Sequence, residues 1–198
     1  LSIRRQRQMC IRDRDGFQET LLTMYSHTGT HMDPPAHLFA GRTTLDQFPV
    51  EQFIGRALVI HCPELREGER VPFSAVERVR PLADQAEFLL FHTGWGRYWG
   101  TERYFGDYPC IDQGIVDYLL QSGKKGVGLD TIGVDPIADA YLSIHRRLFQ
   151  DHDLVVMENL ANLDQIGDGL FTLFALPLRY QDADGSPIRA VAVLDGEE

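Results

Sequence analysis

The chain has 198 residues, 43% of them hydrophobic, which suits one globular domain with a sizeable core and excludes intrinsic disorder and fibrous repeats. Its 29 acidic residues outweigh 19 basic ones for a formal net charge of −10, which argues against nucleic acid or an anionic membrane as a partner. No apolar run approaches the roughly 20 residues that span a bilayer and none has the make-up of a secretory signal, so the chain is expected to be cytoplasmic. Cys10, Cys62 and Cys110 are odd in number and lack a CxxC spacing, so reduced thiols are expected rather than a disulfide framework or a structural zinc site.

Residues 1–15 carry five Arg without helical or strand periodicity and read as a non-native or solvated basic tail; 16–198 read as the folded domain. Next comes the segment 26–41, SHTGTHMDPPAHLFAG, which holds three of the seven histidines. Gly29, Pro34 and Pro35 forbid a continuous helix there, so His27 and His31 are not stacked on successive helical turns and an extended chain is expected. In a strand His27, His31 and Asp33 share a face, but His27 and His31 would stand roughly 13 Å apart. The strand must bend for them to meet, and Gly29 is the residue that allows it. Two imidazoles and a carboxylate brought together this way form a half-open metal site; the competing reading is a polar loop that caps a turn.

Beyond this segment, short β-branched and aromatic runs alternate with amphipathic stretches, the pattern of a mixed α/β domain. Strands are expected at 57–61, 87–93, 126–129, 154–158, 170–176 and 190–194, and helices at 74–80, 112–122 and 139–149. In the second helix Ile115, Val116, Leu119 and Leu120 form one apolar stripe that stops at Gly123. Asp184, Gly185, Ser186 and Pro187 read as a hairpin-type turn between the last two strands. Trp95, Tyr98 and Trp99 follow the second strand, placed either to wall a pocket for a flat substrate or to join the core. His61, His92 and His152 are assigned to packing or solvent. Asp130 and Asp135 either orient other side chains or cap turns.

The run from His27 through His31 and Asp33 to His37 resembles the HxGTHxDxPxH signature of the cyclase family, which includes bacterial kynurenine formamidase and isatin hydrolase. HTGWGRYW (92–99), GLDTIGVDP (128–136), IHRRLF (144–149), VVMENLANLD (155–164), ALPLRY (175–180) and DGSPIRAVAV (184–193) agree with it in order. The resemblance implies a mixed β-sheet single domain of the swivelling β/β/α type with peripheral helices, acting on a small-molecule substrate and assembled as a homo-oligomer. It implies a divalent metal centre, Zn or Mn, with ligands His27, His31 and Asp33, completed by His145 and Glu158, and with Asp33 shared between two ions. Five ligands exceed the three that one open catalytic site takes from protein, which favours two ions. His37 takes the role of general acid/base in hydrolysis of a carbon–nitrogen amide bond, of an aryl formamide or a cyclic amide. The residues agree, since Glu158 closes an apolar strand and needs a partner, a metal or an Arg. The spacing from His145 to Glu158 is one residue longer than the family pattern, which makes His152 a competitor of His145. Family members also carry more ordered chain before the signature, so this chain is read as shortened there. Two other classes stand beside this one: an Fe(II) oxygenase with a facial triad of His31, Asp33 and His145, and a non-catalytic metal-binding protein on the same fold.

Overall fold

The described residues form ten strands: β1 (His31–Asp33), β2 (Ile54–His61), β3 (Arg70–Val71), β4 (Phe88–His92), β5 (Cys110–Ile111), β6 (Gly126–Leu129), β7 (Val155–Glu158), β8 (Phe171–Phe174), β9 (Ser186–Pro187) and β10 (Val191–Leu194). Four α-helices join them: α1 (Phe73–Glu77), α2 (Arg80–Gln85), α3 (Gln113–Gln121) and α4 (Ser143–Phe149). The structure, a computed structural model, describes Gly16 and residues 19–194; the expected basic tail at 1–15, with Cys10, lies outside the described residues. Eight strands form one mixed sheet in the order β10-β8-β2-β4-β6-β7-β1-β9. Its centre, β2-β4-β6-β7, is parallel and the flanking pairs are antiparallel. β3 and β5 pair separately.

The central strands read as continuous apolar runs because both of their faces are covered. Leu58, Ile60, Leu89, Phe91, Val127, Leu129 and Val156 pack against Val76, Ala83, Ile115 and Leu148 of the four helices. Their neighbours of opposite parity, Ala57, Val59, Phe88, Leu90, Val155 and Met157, pack against Phe53, Leu160 and Leu163 of the loop layer. On this second face β6 has no room for a side chain: a Cβ at Gly128 would stand 2.6 Å from Leu160 Cδ1 and 2.9 Å from Leu90 Cδ2. Among the described residues no helix is long and apolar enough to cross a membrane.

Three expectations are corrected. The helix expected at 74–80 is two helices broken at Val79, because Pro81 in the first turn of α2 has no N–H to continue the α1 ladder. The helix expected from Asp139 starts at Ser143; the Asp139 carboxylate takes the Ser143 N–H instead (3.1 Å), and Leu142 is left-handed at φ 56°. The turn expected at 184–187 is not a hairpin between β8 and β10. Ser186 and Pro187 form β9, which pairs with the free edge of β1 and satisfies backbone groups that β7 leaves open.

Candidate metal centre

The centre is set by register. β1 lies between β7 and β9, with His31 opposite Glu158 and Asp33 opposite Val156. Directly opposed residues share a face, so His31, Asp33 and Glu158 project toward the helical layer while Met32 and Met157 enter the core behind them. α4 covers that face and brings in His145. Gly29, left-handed at φ 67°, turns the preceding chain back so that His27 reaches Asp33, as the bend inferred for this segment requires. A 3₁₀ turn at Pro35–His37 holds His37, with its ring centroid 4.1 Å from that of His27 and 6.0 Å from that of His145.

All six predicted site residues therefore meet. His27 Nδ1 donates to Asp33 Oδ1 at 2.6 Å. His31 Nε2 lies 3.4 Å from Asp33 Oδ1 and 3.3 Å from Glu158 Oε2. His145 Nε2 lies 3.5 Å from Asp33 Oδ2 and 3.2 Å from Glu158 Oε1. His31, Asp33, His145 and Glu158 are each at most 5% exposed.

The orientation of the two imidazoles carries chemical information. His31 Nδ1 donates to the Gly29 carbonyl at 2.8 Å, and His145 Nδ1 donates to Asp135 Oδ2 at 2.5 Å. A neutral ring that donates from Nδ1 presents a lone pair at Nε2. As neutral rings both would aim a lone pair at the same two carboxylates, an arrangement made favourable by a metal ion between them or by a proton on each Nε2. Buried His145 Nε2, Glu158 Oε1 and His27 Nε2 have no hydrogen-bond partner among the described residues. Oxygen and imidazole nitrogen in this mixture suit a divalent ion, so the residues present fit the kind of metal that the signature implies.

Charge tells the same story. Burial lowers the affinity of His31 for a proton, but bonding to Glu158 and the charge of Asp33 outweigh it and push the imidazole up to about 9. His145 is raised well above its ordinary value against its own burial, by Asp135, Asp33 and Glu158, and His27 is raised by Asp33. Burial works to raise Asp33, yet His145 and His27 hold its carboxyl well below the usual range. The site is short of positive charge, and protons substitute for it. His37 alone moves the other way: burial, the largest influence on it, lowers it.

Asp135 does two jobs that the sequence left open. It accepts the Ile144 and His145 backbone N–H groups at 2.6 and 3.1 Å, starting α4, and fixes the tautomer of His145. Asp135→Asn retains an acceptor for the helix but turns an N–H₂ toward either the ring or the backbone. It is expected to weaken metal affinity about 10- to 100-fold with the fold intact, as read by competition with a chromophoric chelator. Asp130 instead bonds Thr93 N and Oγ1, at 2.9 and 2.6 Å. His152 is exposed in the loop after α4, so His145 and not His152 joins the centre. His61 and His92 bond to each other. Trp95 is core, 1% exposed, and Trp99 is 60% exposed. Sequence reasoning missed Tyr104 and Asn159, whose 2.6 Å hydrogen bond braces the back of the centre where Asn159 Nδ2 reaches Gly29 O at 2.9 Å. A tyrosine and an asparagine far apart in sequence give no local signal of such a pairing.

A mixed sheet that carries this buried donor set on β1 and β7, with α4 closing over it, defines a candidate divalent-metal centre. The family model described as "Putative cyclase" matches residues 1–136. Kynurenine formamidase of Bacillus cereus is 36% identical over 176 residues, spanning 86% of this chain and 77% of that protein. Among solved structures, an isatin hydrolase bound to the product analogue thioisatinate superposes with a TM-score of 0.84 at 23% identity, covering 96% of this chain and 81% of the other. A structure titled a potential metal-dependent hydrolase with cyclase activity gives 0.68 at 23% identity, with 88% and 82% covered. The chain belongs to the cyclase family. The Fe(II) oxygenase reading is not favoured, since helices pack on the sheet and Glu158 stands as near both imidazoles as Asp33 does.

Proposed function

We propose that this metal-dependent amide hydrolase cleaves the carbon–nitrogen bond of an aryl formamide or a cyclic aryl amide, with His37 moving the proton. The observation that carries the reading is the convergence of His31 Nε2 and His145 Nε2 on one pair of buried carboxylates. The kynurenine formamidase relative supports the formamide, and the fold shared with isatin hydrolase keeps the cyclic amide beside it. His27, His31, Asp33, His145 and Glu158 would hold two divalent ions with Asp33 shared. In support, Asp33 belongs to both groups of converging donor atoms, His27/Asp33/His37 and His31/Asp33/Glu158, and His145 Nε2 adds to the second through its approach to Asp33 and Glu158 at 3.5 and 3.2 Å.

Ions bound there supply Lewis acidity, which makes water a nucleophile near neutral pH and polarises the scissile carbonyl. His37 then takes the proton that water gives up and delivers it to the leaving nitrogen, so that amide and water become amine and carboxylic acid. Burial suits His37 to this, because it keeps the ring neutral and able to accept. The other imidazoles face carboxylates and are committed.

The test is absorbance on mixing the protein, supplied with Zn or Mn, with N-formylkynurenine and, in parallel, isatin. Turnover of one of them, abolished by a chelator and restored by the metal, is the expected result. A metal-loaded protein inert toward both would overturn the substrate assignment.

A further inference from the structure

A concavity of about 570 Å³ opens at the carboxyl ends of the parallel strands, the end of an α/β sheet at which ligands bind. None of the six residues of the metal centre lines it. Thr30 and Asn159 stand between the two and bond to each other at 2.7 Å. His92, Gly96, Arg97, Trp99 and Asp130 lie on its wall, with Leu160 and Leu163 supplying apolar surface.

Two acceptors on this wall lack donors. The Ile166 carbonyl can only accept, so His61 Nε2 donates to it at 3.0 Å. An imidazole that donates from Nε2 and carries no second proton accepts at Nδ1, and His92 Nδ1 stands 3.0 Å from that atom as its donor. His92 Nε2 is left with a lone pair. Asp130, 4% exposed, commits Oδ1 to Thr93, while Oδ2 faces Gly96, where an added Cβ would lie 3.9 Å away. The described residues give Oδ2 no donor, and it is open to the cavity rather than sealed in the core, so a ligand can supply one. Arg97 does not fill the gap: it is exposed and stacks on Tyr98, its guanidinium 4.8 Å from the ring centroid. Negative charge is thus deepest and positive charge outermost. An ammonium carries three donors and a positive charge, and the half-free face of Trp99 accepts an aromatic ring.

We infer that this cavity binds a protonated primary amine carrying an aromatic ring, with the ammonium on Asp130 and His92 and the ring against Trp99.

Phenethylamine and 3-phenylpropanoate, alike in ring and chain but opposite in charge, are titrated calorimetrically into the metal-loaded protein. Phenethylamine is expected to bind saturably, and 3-phenylpropanoate at least roughly tenfold more weakly. Asp130→Asn keeps an acceptor for Thr93 and replaces Oδ2 by a donor, and is expected to weaken the amine about 10- to 100-fold. Gly96→Leu tests the place without touching Asp130: its Cβ meets nothing closer than 3.7 Å, and the rest of the side chain fills the wall. It is expected to abolish amine binding with metal uptake and thermal melting unchanged. Absence of saturable amine binding, equal or tighter binding of the carboxylate, or amine binding unaltered in Gly96→Leu would each overturn the assignment, the last by placing the amine at the metal centre.

Discussion

His37→Ala is expected to lower kcat/KM for the amide by roughly 100- to 10,000-fold while metal content stays at the level of the unsubstituted protein. The argument rests on how His37 differs from its neighbours. His27 is bonded to Asp33, and His31 and His145 face Asp33 and Glu158, so each of these imidazoles is held by a carboxylate. His37 has no such bond; its ring sits 4.1 Å from that of His27, and burial lowers its affinity for a proton. Removing it takes away a base and leaves the carboxylate framework untouched. The same ring also falls within one of the two groups able to hold an ion, so metal analysis decides between the roles. A His37→Ala protein that loses metal in step with activity would show His37 to be a ligand, and one that keeps both would remove it from the chemistry altogether. A flattened acid limb in the pH–rate profile of the residual activity is the further mark of a lost base.

What was legible before the structure divides along contact range. His27, His31, Asp33 and His37 lie within eleven positions, and Gly29 announces the bend that joins them, so this half of the centre can be read from the chain. The other half depends on pairing. β1 is three residues long and has no periodicity of its own to mark it; its place is decided by partners on both sides, and the match of His31 to Glu158 follows from that register. Without the family resemblance, Glu158 is only a carboxylate at the end of an apolar run and His145 only a histidine on a helix. The long parallel strands were visible as runs of Val, Leu, Ile and Phe because both of their faces are buried. Ser186 and Pro187 misled for the opposite reason. Their turn chemistry is local, whereas the open edge of β1 that recruits them is not.

Asp33→Asn is expected to strip the protein of bound divalent metal and reduce activity to background, whereas Glu158→Gln is expected to retain one ion of the two. The two carboxylates look alike in burial, but their oxygens are used differently. Glu158 directs Oε2 to His31 and Oε1 to His145, serving one pair of imidazoles. Asp33 serves that pair and in addition takes the hydrogen bond of His27, so it belongs to both groups of donors. Asparagine preserves the volume and the β1 backbone pairing, and far-UV circular dichroism should be unchanged. It cannot preserve the chemistry: a carboxylate has acceptors on both oxygens, and an amide turns an N–H₂ donor toward one of the imidazoles whichever way it is placed. An ion at either position would then meet a donor where it needs a lone pair and lose the negative charge that compensates its own. Metal per chain, measured by emission spectrometry after exhaustive buffer exchange, reads the result directly. Equal losses in Asp33→Asn and Glu158→Gln would mean that one ion sits among all four groups, and full retention in Asp33→Asn would move the metal away from β1.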